Sequence, residues 1–244
     1  MSNVRRHMNR VIAFLVSLLI LHAAGAKELA SPEQLEQWMT YYYLDPTPGE
    51  IPKALEAVST LGLFENDAVQ APLSGFFAEV FRANPAALHE WVKPFVGVPK
   101  RHILYSALWM AGSTESKAAL AELALGALPE EARQLKSLAE STPPTINSME
   151  VNSPAALDYL WGCFMASGAE DPVLRIIDQV KLVYVKGDAA TMMIGGAAQW
   201  SLSANSGQHE RVLQIVRARA KTADPETKAQ LEIILSLPER DRTK

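Results

Sequence analysis

Six residues of one short stretch offer the clearest chemistry in this chain: Trp91, Phe95, Lys100, Arg101, His102 and Tyr105. Lys100, Arg101 and His102 directly follow Pro99, a residue type that suits the first position of a helix, so free backbone N–H groups and three basic side chains meet at one point. That combination can bind an anion such as a peptide C-terminus or a phosphate, with Trp91, Phe95 and Tyr105 beside it. Exposed cations oppose the positive end of a helix by ~0.3–1 kcal/mol each. A negative partner is therefore expected, either a ligand or a carboxylate of the chain itself such as Glu79 or Glu90.

The same two acids define a second reading, a hydrolase with a carboxylate-based cleft. It requires two acids, such as Glu79 and Glu90, to face each other across a groove, at least one with a displaced pKa. The single cysteine, Cys163, sits among apolar residues in Leu160-Trp161-Gly162-Cys163-Phe164 and reads as a buried small hydrophobe rather than a nucleophile. Beyond the N-terminal segment the histidines are His89, His102 and His209, with no pair four residues apart and no acid at ligand spacing. No metal and no cofactor are expected. Tyr41-Tyr42-Tyr43, ahead of Pro46 and Pro48, is a candidate groove wall for an extended ligand. On a helix three consecutive residues diverge, so at least one is core and one exposed. The chain has no G-x-S-x-G motif, no glycine-rich phosphate loop after a strand, and no strand to carry one.

The elements that must position these residues are helices. Ser31-Pro32-Glu33-Gln34 is a capping box with proline at the first helical position. Ser153-Pro154, Asp171-Pro172 and Asp224-Pro225 repeat the cap-then-proline signature, and Ser113 or Thr114 caps another helix. The pattern predicts helices over Pro32 to Tyr43, Thr47 to Leu61, Pro72 to Ala83, Pro85 to Lys93, Pro99 to Ala111, Ser113 to Leu125 and Pro129 to Glu140. Beyond these it predicts Pro154 to Ser167, Pro172 to Val185, Asp188 to Ala204, Gln208 to Lys221 and Pro225 to Leu237. Leu63 to Ala71 reads as a loop or a weak turn of helix, and Gly195-Gly196 inside a helix implies close approach of a neighbour.

Four segments end alike: FRANPAALHEWV, WMAGSTESKAAL, FMASGAEDPVLRII and LSANSGQHERVLQI each place an alanine (Ala83, Ala111, Ala166, Ala204) before small polar residues and a new helix. Helical hairpins in series that bury their faces on their neighbours make an α-solenoid. The pattern from Pro72 to Lys221 loosely resembles tetratricopeptide-like and Sel1-like bacterial envelope proteins, although no 34-residue period runs through it. Tyr41-Tyr42-Tyr43, FFAEVFRANP and HILYSALWMAG are also similar to a family of secreted bacterial helical proteins, a resemblance that implies no activity.

The N-terminus bounds the compartment. Arg5, Arg6 and Arg10, the apolar run Val11 to Leu21 and the triplet Ala24-Gly25-Ala26 form a signal peptide, residues 1–26, cleaved after Ala26. The run is shorter than the ~20 residues of a spanning helix, so no stable membrane insertion is expected after cleavage. Removing those three arginines leaves twenty basic residues against twenty-seven acidic ones, a net charge of −7. An acidic surface makes nucleic acid an unsuitable partner.

The expectation is therefore an all-α, periplasmic or secreted protein of antiparallel helical hairpins stacked as an irregular α-solenoid or helical-repeat array. Its parts are an N-terminal helical lobe, 27–140, a linker, 141–151, a C-terminal helical lobe, 152–237, and a charged tail, 238–244. Its function is expected to be that of a scaffold binding an envelope protein or peptide. The alternatives are the carboxylate hydrolase or a purely structural envelope subunit.

Overall fold

The computed structural model describes residues 29–98 and 100–237. The expected signal segment, Pro99 and the tail 238–244 lie outside the described residues. Among the described residues the protein is all α, with no strand. Its helices are α1 (Pro32–Thr40), α2 (Ile51–Thr60), α3 (Asp67–Ala83), α4 (Leu88–Val92), α5 (His102–Ala111), α6 (Thr114–Leu125), α7 (Pro129–Glu140), α8 (Pro154–Ser167), α9 (Glu170–Ile177), α10 (Ala189–Gln208), α11 (Glu210–Ala220) and α12 (Pro225–Ser236).

The caps explain most of these boundaries. Ser31 and Gln34 satisfy one another's backbone N–H groups as a complete capping box. Ser113, Ser153 and Asp224 accept from the first-turn N–H groups of α6, α8 and α12. Gly112 and Gly168 close α5 and α8 at φ +70° and +64°, where a side chain would be strained.

Helix α1 stops at Thr40 rather than Tyr43, and α2 starts at Ile51 rather than Thr47, each beside a 3-10 turn. Five further boundaries differ from the sequence expectation, each for a local reason. First, Leu63–Glu65 is a 3-10 turn and Asn66, accepting from the Ala68 N–H, starts α3 at Asp67 rather than Pro72, so Pro72 lies inside the helix. Second, α5 starts at His102 rather than Pro99: Lys100 takes a left-handed φ of +57° and Arg101 is the cap, leaving only His102 of the basic trio in the first turn. Third, α9 begins at Glu170 with Asp171 inside its first turn, so Asp171 does not cap it. Fourth, that helix stops at Ile177, and Val180–Tyr184 is a 3-10 turn. Fifth, α10 continues through Ala204 to Gln208, so the last of the four look-alike segments is not a turn. Asn84 and Asn205 both donate to the carbonyl four residues back, but only Asn84 is followed by a proline that stops the helix.

Burial divides into two apolar clusters. One gathers the inward faces of α1 to α7 and takes in Tyr159, Cys163 and Ala166 from α8. The other gathers α9 to α12 around Leu157, Leu160, Trp161 and Phe164, again from α8. Helix α8 thus serves both cores with opposite faces. Its most extensive packing is on α3, a helix far away in sequence, whereas in a solenoid each hairpin touches only its neighbours. Gly75 and Gly162 make that packing possible: a Cβ on Gly75 would lie 2.1 Å from the Tyr159 carbonyl oxygen, and one on Gly162 would lie 2.0 Å from that of Pro72. The two backbones touch there.

Residues 141–151 are tied down. Trp109 Nε1 donates to Ser141 Oγ at 2.8 Å, and the Arg175 guanidinium donates to the carbonyls of Ile146 at 3.2 Å and Met149 at 2.7 Å. Of the paired glycines in α10, Gly195 is pressed against the 3-10 turn, where a Cβ would meet Val183 N at 2.4 Å, while Gly196 faces open space. No described helix is long and apolar enough to cross a membrane.

Candidate binding site

The six residues singled out in sequence do come together, but as a folded interior and its edge. Trp91, Phe95 and Tyr105 are 8 %, 8 % and 7 % exposed. Their rings pack into the first core, Trp91 on Phe81 and Phe95 edge-on to Phe64. They therefore form no open aromatic wall. The Arg101 guanidinium lies 4.9 Å over the Phe64 ring, and the exposed His102 imidazole meets Tyr105 edge-on.

The anion expected at this point is supplied from within, by Glu131 of α7. Its Oε1 accepts from the Lys100 backbone N–H at 3.0 Å and from the Tyr105 hydroxyl at 2.8 Å. Burial and this carboxylate hold the Tyr105 phenol well above its usual pKa. Glu79 and Glu90, the carboxylates named from sequence, have other partners. Glu131→Ala should cost about 1–3 kcal/mol in urea unfolding, because a buried hydroxyl loses its acceptor. In the Tyr105→Phe background the same substitution should cost clearly less, and equal costs would show that the hydrogen bond is not the cause.

The remaining chemical residues separate in the same way. Glu79 pairs with Arg82, whose guanidinium also donates to the carbonyls of Met110 and Ala111 at the end of α5. Glu90 is a solvent-facing residue of α4 beside His89, which bonds Glu122 at 2.9 Å. The two acids thus have separate surroundings and do not form the facing pair a hydrolase needs. Cys163 is fully buried, its thiol directed at the Gly75 carbonyl at 3.5 Å, and burial raises its pKa. Among the described residues no group of three or more His, Cys, Asp or Glu could hold a metal ion.

The tyrosine run divides as its spacing requires: Tyr42 is core, Tyr41 is exposed and Tyr43 is half-buried. Tyr43 is engaged with His209, the single residue between α10 and α11, its hydroxyl lying 3.2 Å from Nδ1. The imidazole is 2 % exposed and enclosed by Tyr41, Tyr43 and Phe164, with ring centroids 5.4–5.8 Å away. Burial lowers its pKa to about 4, so it is neutral in the fold.

The open sites lie on the two flanks of α3. On one side, α1, α3 and α8 leave a half-open groove of about 320 Å³. It is walled by Leu35, Met39, Leu63, Val69, Leu73, Trp161 and Met165, and only Glu36 brings a charge. On the other side, α3, α5, α8 and the 141–150 segment border an open, largely apolar cleft of about 420 Å³, to which Gln70, Ser74, Ser106 and Tyr159 add polar groups and Asp67 and Glu150 add carboxylates. Sequence reasoning missed both because it began α3 at Pro72. With the helix begun at Asp67, the stripe Asp67, Gln70, Ala71 and Ser74 has helical spacing and would have been visible. A third groove, of about 490 Å³, runs past Tyr42, Pro46, Pro48 and the Glu79–Arg82 pair. No protein-family model, curated protein or solved structure matches the chain.

Proposed function

We propose that the protein is an extracytoplasmic scaffold without catalytic chemistry, which holds an apolar segment of a polypeptide partner in the groove between α1, α3 and α8. The basic, apolar and small-residue segments of the N-terminus support export. The observation that carries the binding role is the groove itself: half open, almost uncharged, and edged by the half-buried side chains of Met39, Leu63, Val69 and Met165. Burying apolar side chains of a partner there gains roughly 25 cal/mol per Å². Two flexible thioethers let the walls follow different side chains, and a partner helix would enter with its apolar face. The site has moved from the sequence-based patch at Trp91 to Tyr105 because those rings are consumed by the core.

A photoreactive benzoylphenylalanine at Met39 in the native envelope should give an adduct of one discrete mass. The same probe at Leu125, an exposed residue of α6, should not, and Val69→Asp with an unchanged helical circular dichroism spectrum should abolish the Met39 adduct. Equal labelling at Met39 and Leu125, or labelling that survives Val69→Asp, would overturn the reading.

A further inference from the structure

The cleft on the other flank of α3 contains an unmet demand for hydrogen bonds. Ser74 on α3 is 4 % exposed and Tyr159 on α8 is 8 % exposed. Both residues line the cleft; the Ser74 hydroxyl has no hydrogen-bond partner, and the Tyr159 hydroxyl has only the Cys163 sulfur. The Cys163 thiol lies near the Tyr159 hydroxyl, but sulfur is a weak acceptor and this thiol is already directed at the Gly75 carbonyl. An unsatisfied buried hydroxyl costs about 1–3 kcal/mol, and one unmet and one weakly met hydroxyl in one cavity can share a guest.

The charge of the cleft selects the guest. Its charged lining residues are carboxylates, Asp67 at the start of α3 and Glu150 at the end of the 141–150 segment. Arg82, a cation felt by the Tyr159 hydroxyl, is held by Glu79 and by two carbonyls of α5. Trp109 and Met149 give the walls an apolar surface. Those walls are fixed before anything enters, since Trp109 is tethered to Ser141 and the Met149 carbonyl to Arg175, which lowers the entropic cost of binding.

We propose that this cleft is a binding site for a small organic cation of the primary-amine class. The ammonium group donates to the Ser74 and Tyr159 hydroxyl oxygens, the Asp67 and Glu150 carboxylates balance its charge, and its carbon skeleton lies along Trp109 and Met149. The site is separate from the apolar groove, and the two tests are independent.

The probe is 1,4-diaminobutane, titrated calorimetrically into the intact protein, with butanol and succinate as neutral and anionic counterparts. The diamine should bind and the counterparts should not. Asp67→Asn with Glu150→Gln, both at exposed positions, should raise its Kd about tenfold or more, and so should Ser74→Ala with Tyr159→Phe. Absence of diamine binding overturns the proposal, as does equal binding of butanol or an unchanged Kd in the double variants. If no amine binds and Ser74→Ala with Tyr159→Phe destabilises the free protein, the hydroxyls serve an internal water and the proposal falls.

Discussion

Gly162→Ala should destabilise the protein by about 3 kcal/mol or more in urea unfolding, although alanine is intrinsically the better helix former by ~1 kcal/mol. The added carbon would stand 2.0 Å from the Pro72 carbonyl oxygen and 2.8 Å from Phe76 N. Both are backbone atoms of α3, which cannot swing aside as a side-chain tip does. The helices must separate, and the buried side chains between them, Phe76, Tyr159 and Cys163, lose contact together. Gly195 and Gly196 provide an internal comparison. Gly195→Ala should also destabilise, because its Cβ meets Val183 N at 2.4 Å. Gly196→Ala meets nothing within 4 Å and should stabilise by about 0.5–1 kcal/mol through the unfolded chain. If Gly162→Ala proves as stable as the parent, α3 and α8 do not touch as described.

Acidification should weaken the fold between pH 6.5 and 4, on the order of 3 kcal/mol in all, through His209. Its pKa falls from 6.5 to about 4 on folding because burial penalises the charged ring. The unfolded chain therefore takes up a proton before the folded one does, so the stabilisation is complete above pH 6.5 and is lost as pH drops towards 4. Around the ring stand Tyr41, Tyr43 and Phe164, while the neighbouring cation Arg211 is paired with Glu170 at 2.8 Å. Among the described residues no carboxylate hydrogen-bonds the imidazole to welcome its proton. The upper half of the window is the diagnostic part: Glu33, Asp188 and Asp224 have pKa values lowered below those of ordinary carboxylates, and Asp158, raised by burial, is common to the parent and the His209→Leu variant. Urea midpoints at pH 7 and pH 5 should differ for the parent and converge for His209→Leu, and equal differences in both would refute the assignment.

What the sequence made legible was written in local chemistry. Ser31 with Gln34, Ser113, Ser153 and Asp224 begin helices through hydrogen bonds that span three residues. Gly112 and Gly168 end them through their own φ. The all-α class follows from such signals. What was hidden depends on partners distant in sequence. Nothing near Lys100 announces Glu131, and nothing near Tyr43 announces His209. The aromatic density around Trp91 and Phe95 belongs to the interior, because a helix that packs against neighbours on several sides needs aromatic residues there. Asn66 was overlooked as a cap because Pro72 is the louder signal, and with it went the stripe that walls the second cleft.

Because the first core is completed by Tyr159, Cys163 and Ala166, the N-terminal half of the molecule is unfinished until α8 arrives. A chain that emerges from its N-terminus must hold the oily side of α3 in waiting while some eighty residues follow, a long loop to close before the reward is collected. A ladder of independent hairpins could harden rung by rung; here the first half closes only when α8 reaches α3, the second only when the later helices cover the other face of α8, and until then the newborn chain needs shelter from its neighbours.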